Sequence, residues 1–182
     1  MTRPILPGAS RWPELDAFTR FWRAKAPPGG LPPKSAMDPI EMRRWLGHLS
    51  IVEVVDGGAD YRVRLHGTKV AAAAGIDLTG RNVSHYPGER RVAMHESYQL
   101  AVESRAPCYS SIILRPGDRP QLVIWERLLL PLAENTGSDR VGFVITLGYR
   151  LVTDRPLGEY RAEAEGHGML VRVIDDPKID WW

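Results

Sequence analysis

Cysteine, long apolar runs and targeting signals are scarce or missing in this sequence. Cys108 is the only cysteine, so no disulfide can form within the chain, which is typical of proteins kept in a reducing compartment. No apolar stretch reaches the length of a membrane span, and the first ten residues lack the apolar centre of a secretion signal. These absences predict a cytoplasmic protein with no membrane partner.

Motifs for catalysis, metals and nucleotides are missing as well. The five histidines have no metal-ligand spacing, and the sequence contains no G-x-G-x-x-G or Walker loop and no G-x-S-x-G elbow. The net charge is only +2, and no basic run of the kind that binds nucleic acid occurs. We therefore expect no catalytic residues, no metal site and no nucleic-acid partner.

The composition suits one domain with an extension at each end. Hydrophobic residues make up 43% of the 182 residues, enough to form a core without disulfides. A linker of four prolines and two glycines, residues 26–33, cannot continue a helix. We divide the chain into an N-terminal helix with its linker (1–36), a main domain (37–150) and a C-terminal extension (151–182).

The N-terminal helix is predicted from Pro13 to Ala26 and has a bulky apolar face. Leu15, Phe18 and Trp22 recur at i, i+3 and i+7, and Phe21 lies beside them. Such a face must be covered, either by the back of a sheet or by a second copy of the chain.

The segment from residue 60 to residue 80 is the most informative. Tyr61, Val63 and Leu65 alternate with polar residues, which predicts a strand with one apolar face. Gly67 ends that strand, a short alanine-rich helix follows to Ala74, and Gly75 suits a C-terminal cap. A strand that breaks at once into short helices indicates a hollow in which a ligand can lie.

The other elements follow from periodicity and from turn residues. A helix that starts at Asp38 with a capping box is expected to reach Leu46. The remaining predictions are strands at 49–55, 61–65, 108–114, 121–132 and 140–149, a long helix at 89–104, and, in the tail, a helix at 159–165 and a strand at 169–174.

Three segments carry a resemblance to a known family: Met37-Asp38-Pro39, residues 61–80, and Arg127-Leu-Leu-Leu-Pro-Leu132. With two strands, a helical crossover and three strands, the chain resembles a PAS domain, in particular a family of stand-alone bacterial PAS-like proteins formerly listed as a domain of unknown function. The resemblance implies an α+β fold in which helices flank a five-stranded antiparallel sheet. It implies a sensory or adaptor module that binds a small ligand or a signalling partner. Nothing after Tyr149 resembles an output domain.

The resemblance also implies dimerisation through a helix that precedes the core. We accordingly place a homodimer interface on the apolar face of Leu15, Phe18, Phe21 and Trp22. Trp181 and Trp182 end the chain, and since indoles are costly to leave in water, we expect them to pack against the protein.

A ligand pocket is best sought among apolar and aromatic residues on facing elements. A packed core without a cavity is the equal alternative, because core and pocket look alike in a sequence. The candidates are Tyr61, Val63, Val70, Ile76, Tyr86, Met94, Tyr98, Ile113, Trp125 and Ile145.

Two residues that could bind a cofactor, His95 and Cys108, are better explained by structural roles. His95 is on the helix where haem-binding PAS domains carry their ligand, but it lies about 100° from Met94 around that helix, which favours a surface position. Cys108 lacks the Asn-Cys-Arg motif of flavin-binding light sensors and is predicted to be a small buried residue. The cofactor stays unknown, with haem and flavin disfavoured.

Three arginines interrupt apolar strands: Arg62, Arg64 and Arg127. Each guanidinium could hold a carboxylate or phosphate, but a solvated sheet face is the favoured interpretation.

The favoured function is a non-catalytic PAS-like sensor or adaptor. Two alternatives remain: a small enzyme that uses His66, His85 or His95 as a general base, and a purely structural dimerisation module.

Overall fold

The computed structural model describes residues 12–115 and 121–175. The described part contains four α-helices, α1 (Pro13–Lys25), α2 (Thr68–Ala74), α3 (Gly88–Ser104) and α4 (Leu157–Gly166), and six strands, β1 (Leu49–Val55), β2 (Asp60–His66), β3 (Cys108–Arg115), β4 (Leu122–Ala133), β5 (Val141–Thr153) and β6 (Leu170–Asp175). The predicted positions of the strands and of the long helix are therefore confirmed to within a few residues. Trp181 and Trp182 lie outside the described residues.

The strands form one sheet in the order β2-β1-β5-β4-β3-β6. All neighbours are antiparallel except β3 and β6, which run parallel. The α+β class is confirmed, but the sheet has six strands rather than the expected five. The sixth strand comes from the C-terminal extension, whose pairing partner no local pattern could have identified.

Helices cover both faces of this sheet. One face packs on α3 through Tyr98 and Ala101, and a cluster with Val52, Val63 and Leu129 forms there. On the opposite face α1 lies over β4 and β5, while α4 lies over β3, β4 and β6. Because side chains alternate along a strand, successive residues of the central strand β4 belong to different layers.

The apolar face of α1 is buried within its own chain. Leu15, Phe18 and Trp22 belong to the cluster on the sheet, and the Trp22 indole Nε1 donates a hydrogen bond of 2.9 Å to the carbonyl of Pro131. Phe21 is only partly buried and lies 5.6 Å from the Trp45 ring. This face covers the back of the sheet, which was the first of its two predicted uses. The homodimer interface on the same helix stays a prediction.

The helix predicted from Asp38 to Leu46 is replaced by consecutive turns. Only Leu46–His48 is helical, as a single 3₁₀ turn. Asp38 does cap this segment, since its Oδ1 accepts a 2.8 Å hydrogen bond from the Ile40 N–H. Glu41 does not complete a capping box, because its carboxylate pairs with Lys25 on α1. Met42 and Trp45 of this segment are buried in the cluster between α1 and the sheet, so packing against other elements, which the local pattern does not report, accompanies the turns.

The C-terminal extension is part of the fold. Tyr160 on α4 is buried under the sheet, and its hydroxyl lies 2.7 Å from Glu126 Oε1 and 2.9 Å from Ser111 Oγ. No helix within residues 12–115 and 121–175 is long and apolar enough to cross a membrane.

Candidate functional site

A cavity of about 490 Å³ lies between the sheet and the helices α2 and α3. Its walls come from β2, α2, the segment 76–87, α3 and the facing side of the other five strands. The volume is within the range of small-molecule pockets in proteins.

Two glycines at the ends of α2 fix the position of this helix, which forms one wall of the cavity. A Cβ on Gly67 would lie only 2.5 Å from the carbonyl oxygen of Gly47, and the Gly67 N–H donates a 2.7 Å hydrogen bond to the Leu49 carbonyl. Gly75 ends the helix in a left-handed conformation with φ 63°. Between them, α2 presents the small side chains Val70 and Ala74 to the cavity, which do not fill it.

Arg127 is the most unusual residue of the cavity wall. It is only 7% exposed although it carries a charge. Its Nη2 donates hydrogen bonds to Ser97 Oγ on α3, at 2.8 Å, and to Ser110 Oγ on β3, at 3.0 Å, and its Nη1 lies 2.9 Å from Met94 Sδ. The Nε atom is buried and has no hydrogen-bond partner among the described residues. The guanidinium is therefore held in place by neutral groups.

The charged residues that line the cavity are basic. Burial lowers the pKa of Arg127, and the phenols of Tyr98 and Tyr86 oppose that effect. Arginine is nevertheless protonated at all accessible pH values. The described lining also includes Arg81, on the exposed rim, and three histidines, but no aspartate or glutamate.

Two further buried polar atoms of the lining have no hydrogen-bond partner in the described part of the chain, Nε2 of His66 and the hydroxyl of Tyr86. The other ring nitrogen of His66, Nδ1, lies 3.1 Å from Ser50 Oγ. Burial lowers the pKa of His66, partly offset by the negative charge of Asp77, so its neutral form is favoured. Buried polar groups are normally hydrogen-bonded, so these atoms could each bind a water molecule or a polar group of a ligand.

Comparison with known proteins places the fold. A family model described as "PAS domain" matches residues 11–145. The chain belongs to the PAS domain family. No curated protein matches it.

Solved PAS structures are distant from this PAS domain in sequence. A light-oxygen-voltage domain studied with a flavin analogue is 12% identical, with a TM-score of 0.49, over 70% of this chain and 93% of that one. The PAS domain of the histidine kinase ThkA is 15% identical, with a TM-score of 0.40, over 56% of this chain and 97% of that one.

Most predicted pocket residues of this PAS domain lie together around the cavity. Those in the lining are Val63, Val70, Ile76, Tyr86, Met94, Tyr98 and Trp125. Tyr61 lies beside it, buried in the core of the same face with its ring 5.2 Å from Tyr98. Ile113 and Ile145 face the other side of the sheet, toward α4 and α1. Their neighbours Ile112 and Thr146 line the cavity instead, so each of these two predictions missed the facing residue by one position.

The polar part of the lining was missed. Arg127 was assigned to a solvated face, which is wrong, because β4 is an interior strand with covered faces. A signal was available: Glu126 and Arg127 interrupt a run that is apolar on both faces, so neither side chain can reach water easily. The expectation of a solvated sheet face fits Arg62 and Arg64 better. Arg62 is partly buried and bonds to Asn82, and Arg64 is exposed.

The residues weighed for cofactor chemistry lie away from the cavity of the PAS domain. His95 is partly exposed, with Nε2 3.4 Å from the Ala59 carbonyl, and does not line the cavity. Cys108 is buried and its Sγ lies 3.1 Å from Ser104 Oγ; burial raises its pKa. No group of three His, Cys, Asp or Glu side chains within the described ranges is arranged to hold a metal ion.

Proposed function

We propose that this PAS domain is a sensory module whose cavity binds a small, mainly apolar molecule and which has no catalytic activity of its own. The observation that supports it is the cavity itself, about 490 Å³ in volume, with buried polar atoms of Tyr86, His66 and Arg127 unpartnered in its wall. An apolar lining with a few placed polar groups is what small-molecule sites share.

The response to the ligand is proposed to pass to a separate signalling partner or to a second copy of the chain, in the cytoplasm. Three of the four side chains predicted at a dimer interface are buried in the core of the chain itself. A dimer formed through α1 would therefore use the outer surface of that helix, where Phe21 is partly exposed.

Enzymatic use of the cavity is the second candidate, because Ser50 and His66 form a hydroxyl–imidazole pair in its wall. A nucleophilic serine needs a base that a third group orients. Nε2 of His66 has no hydrogen-bond partner among the described residues. The pair therefore lacks the orienting group, and we favour binding over catalysis.

Native mass spectrometry of the protein purified from its own host tests the proposal. The expected result is a retained small molecule of discrete mass. Ala74→Phe places a ring in the cavity from α2 and should abolish retention, whereas Ala72→Phe adds the same ring on the exposed side of that helix and should leave retention intact.

The proposal is overturned if the wild-type protein carries no small molecule and takes up none from a host extract. Equal retention by the Ala74→Phe variant would show that the ligand binds elsewhere. Turnover of a simple ester that is lost on Ser50→Ala would favour the enzyme instead.

A further inference from the structure

Arg127 is a buried cation whose neighbours are all neutral. Its described hydrogen-bond partners are the hydroxyls of Ser97 and Ser110, the Met94 sulfur and the phenol of Tyr98. The ring of Tyr98 lies 6.0 Å from the guanidinium carbon, and burial raises the pKa of that phenol, which stays protonated at neutral pH. A buried charge is tolerated when a counter-charge balances it, and the described residues supply none at Arg127.

The nearest acidic residue in the sequence does not balance this charge. Glu126 precedes Arg127 on β4, but its side chain is on the opposite face of the sheet, where it accepts a hydrogen bond from Tyr160. No carboxylate is among the groups that shift the pKa of Arg127. The positive charge is therefore directed at the cavity alone, whose described lining holds no acidic side chain.

We infer that the ligand of this cavity is an organic monocarboxylate with an apolar body, and that its carboxylate accepts a hydrogen bond from the guanidinium of Arg127. The inference rests on the proposed function and names the chemical class of its ligand. Arg127 lines the cavity, and its Nε has no hydrogen-bond partner among the described residues. A charge-assisted hydrogen bond from this guanidinium to a carboxylate would be roughly twice as strong as a neutral one.

A single charge matches the site better than a double one. Arg127 is the most buried arginine of the described lining, since Arg81 is exposed at the rim and Arg90 is partly buried, although its Nε atom is enclosed. The body of the ligand would contact apolar side chains on the same side of the sheet, among them Ile112 and Trp125. A phosphate ester carries more charge than one guanidinium balances.

The test is isothermal titration calorimetry of the full chain, freed of any retained molecule, with octanoate, octan-1-ol and octyl phosphate. These probes share one apolar chain and differ in their head group. We expect octanoate to bind at least about tenfold more tightly than octan-1-ol, the difference that one charge-assisted hydrogen bond supplies. We expect octyl phosphate to bind more weakly than octanoate.

Three variants assign the preference to Arg127. Arg127→Met should remove the preference for the acid while octan-1-ol still binds, and Arg127→Lys should keep part of it. Arg64→Met removes an exposed cation from β2 outside the cavity and should leave both affinities unchanged. If Arg127 only fastens α3 to the sheet, Arg127→Met would change the affinities for the acid and the alcohol by the same factor, and the inference would be wrong.

The remaining outcomes separate the inference from the proposed function. Equal affinities for octanoate and octan-1-ol in the wild-type protein would overturn the inference and leave a ligand-binding cavity. Tighter binding of octyl phosphate than of octanoate would overturn the choice of a carboxylate. If none of the three probes binds and the host protein retains nothing, both proposals fail.

Discussion

Asp60, the first residue of β2, connects residues 82–84, which precede α3, to the sheet. Its carboxylate accepts hydrogen bonds from Asn82 Nδ2 at 3.0 Å, from the Ser84 N–H at 3.1 Å, from the Ser84 hydroxyl at 2.7 Å and from the Tyr61 N–H at 2.7 Å. Burial alone would raise the pKa of Asp60, but these hydrogen bonds outweigh burial and hold it below its ordinary value of 3.8. This carboxylate therefore helps to hold residues 80–84 against β2, together with the backbone hydrogen bonds of Val63 to Arg81 and Gly80.

Asp60→Asn should therefore lower the free energy of unfolding near neutral pH, by about 1 kcal/mol, since hydrogen bonds to a charged acceptor are replaced by weaker ones. A carboxyl group with a lowered folded-state pKa stabilises the fold above its unfolded-state pKa, and that contribution is lost as the pH falls through the folded-state pKa. The difference between wild type and variant should accordingly shrink in acid below the ordinary value of 3.8.

Urea unfolding at a series of pH values measures this difference. Asp56→Asn, at an exposed position at the start of the same hairpin connection, is the control and should have little effect. A difference that stays constant down to the acid limit of folding would contradict the assigned role of the carboxylate.

At the scale of elements, α1 is a structural cover for the sheet. Phe18 is fully buried there and packs edge-on against Trp45, with ring centroids 4.8 Å apart. Phe18→Ala should lower the free energy of unfolding by about 3 to 5 kcal/mol, the usual cost of removing a buried aromatic ring. Phe21→Ala removes a partly exposed ring from the same helix and should cost clearly less.

Denaturant unfolding followed by circular dichroism separates the two variants. Sedimentation of the same samples reports whether either change alters the mass of the assembly. If Phe18→Ala left stability unchanged but halved the mass, α1 would be an interface helix, contrary to its packing here.

Elements whose signals are local could be predicted from the sequence. The strand from Tyr61 and the helix that ends at Gly75 follow from alternation and from a left-handed cap, and both depend on neighbouring residues only. The helix expected at Asp38 is absent, and residues of this segment contact distant parts of the chain: Glu41 pairs with Lys25, and Trp45 packs in the core beside α1. Likewise, β6 could be recognised as a strand but not as the parallel neighbour of β3.

The candidate site also has parts that local sequence signals predict and parts that depend on the arrangement of the whole sheet. Apolar lining residues such as Val63 and Met94 could be predicted, because the resemblance to PAS domains indicates which face of the sheet the helices cover. In β3 and β5, successive residues are apolar, so the sequence does not show which of them face the cavity. For this reason Ile113 and Ile145 were predicted on the wrong face of the sheet. The burial of Arg127 depends on its strand being interior, which only the sheet order establishes.

At the scale of the whole molecule, the C-terminal extension and the PAS core form one packed unit. The family match ends at residue 145, yet β6 pairs with β3 over six residues, Leu170 to Asp175. On the face away from the cavity, Ile113 and Ile124 lie in one cluster with Tyr160 and Val171 of the extension. Such shared packing predicts that core and extension unfold in a single cooperative transition.

Tyr160→Phe tests this cooperativity at the point where α4 meets the sheet. The change removes the hydroxyl that donates to Glu126, a carboxylate only 2% exposed, and leaves the ring in place. It should lower the free energy of unfolding of the entire protein by about 1 to 3 kcal/mol, because a buried acceptor loses a donor.

Tryptophan fluorescence and far-ultraviolet circular dichroism should report the same shifted midpoint, whereas Glu159→Gln, an exposed change on the same helix, should leave it in place. If the extension were an independent appendage, Tyr160→Phe would loosen α4 without moving the transition of the sheet, and the two probes would separate. Coincident transitions that shift together would instead make α4 and β6 structural parts of the PAS domain.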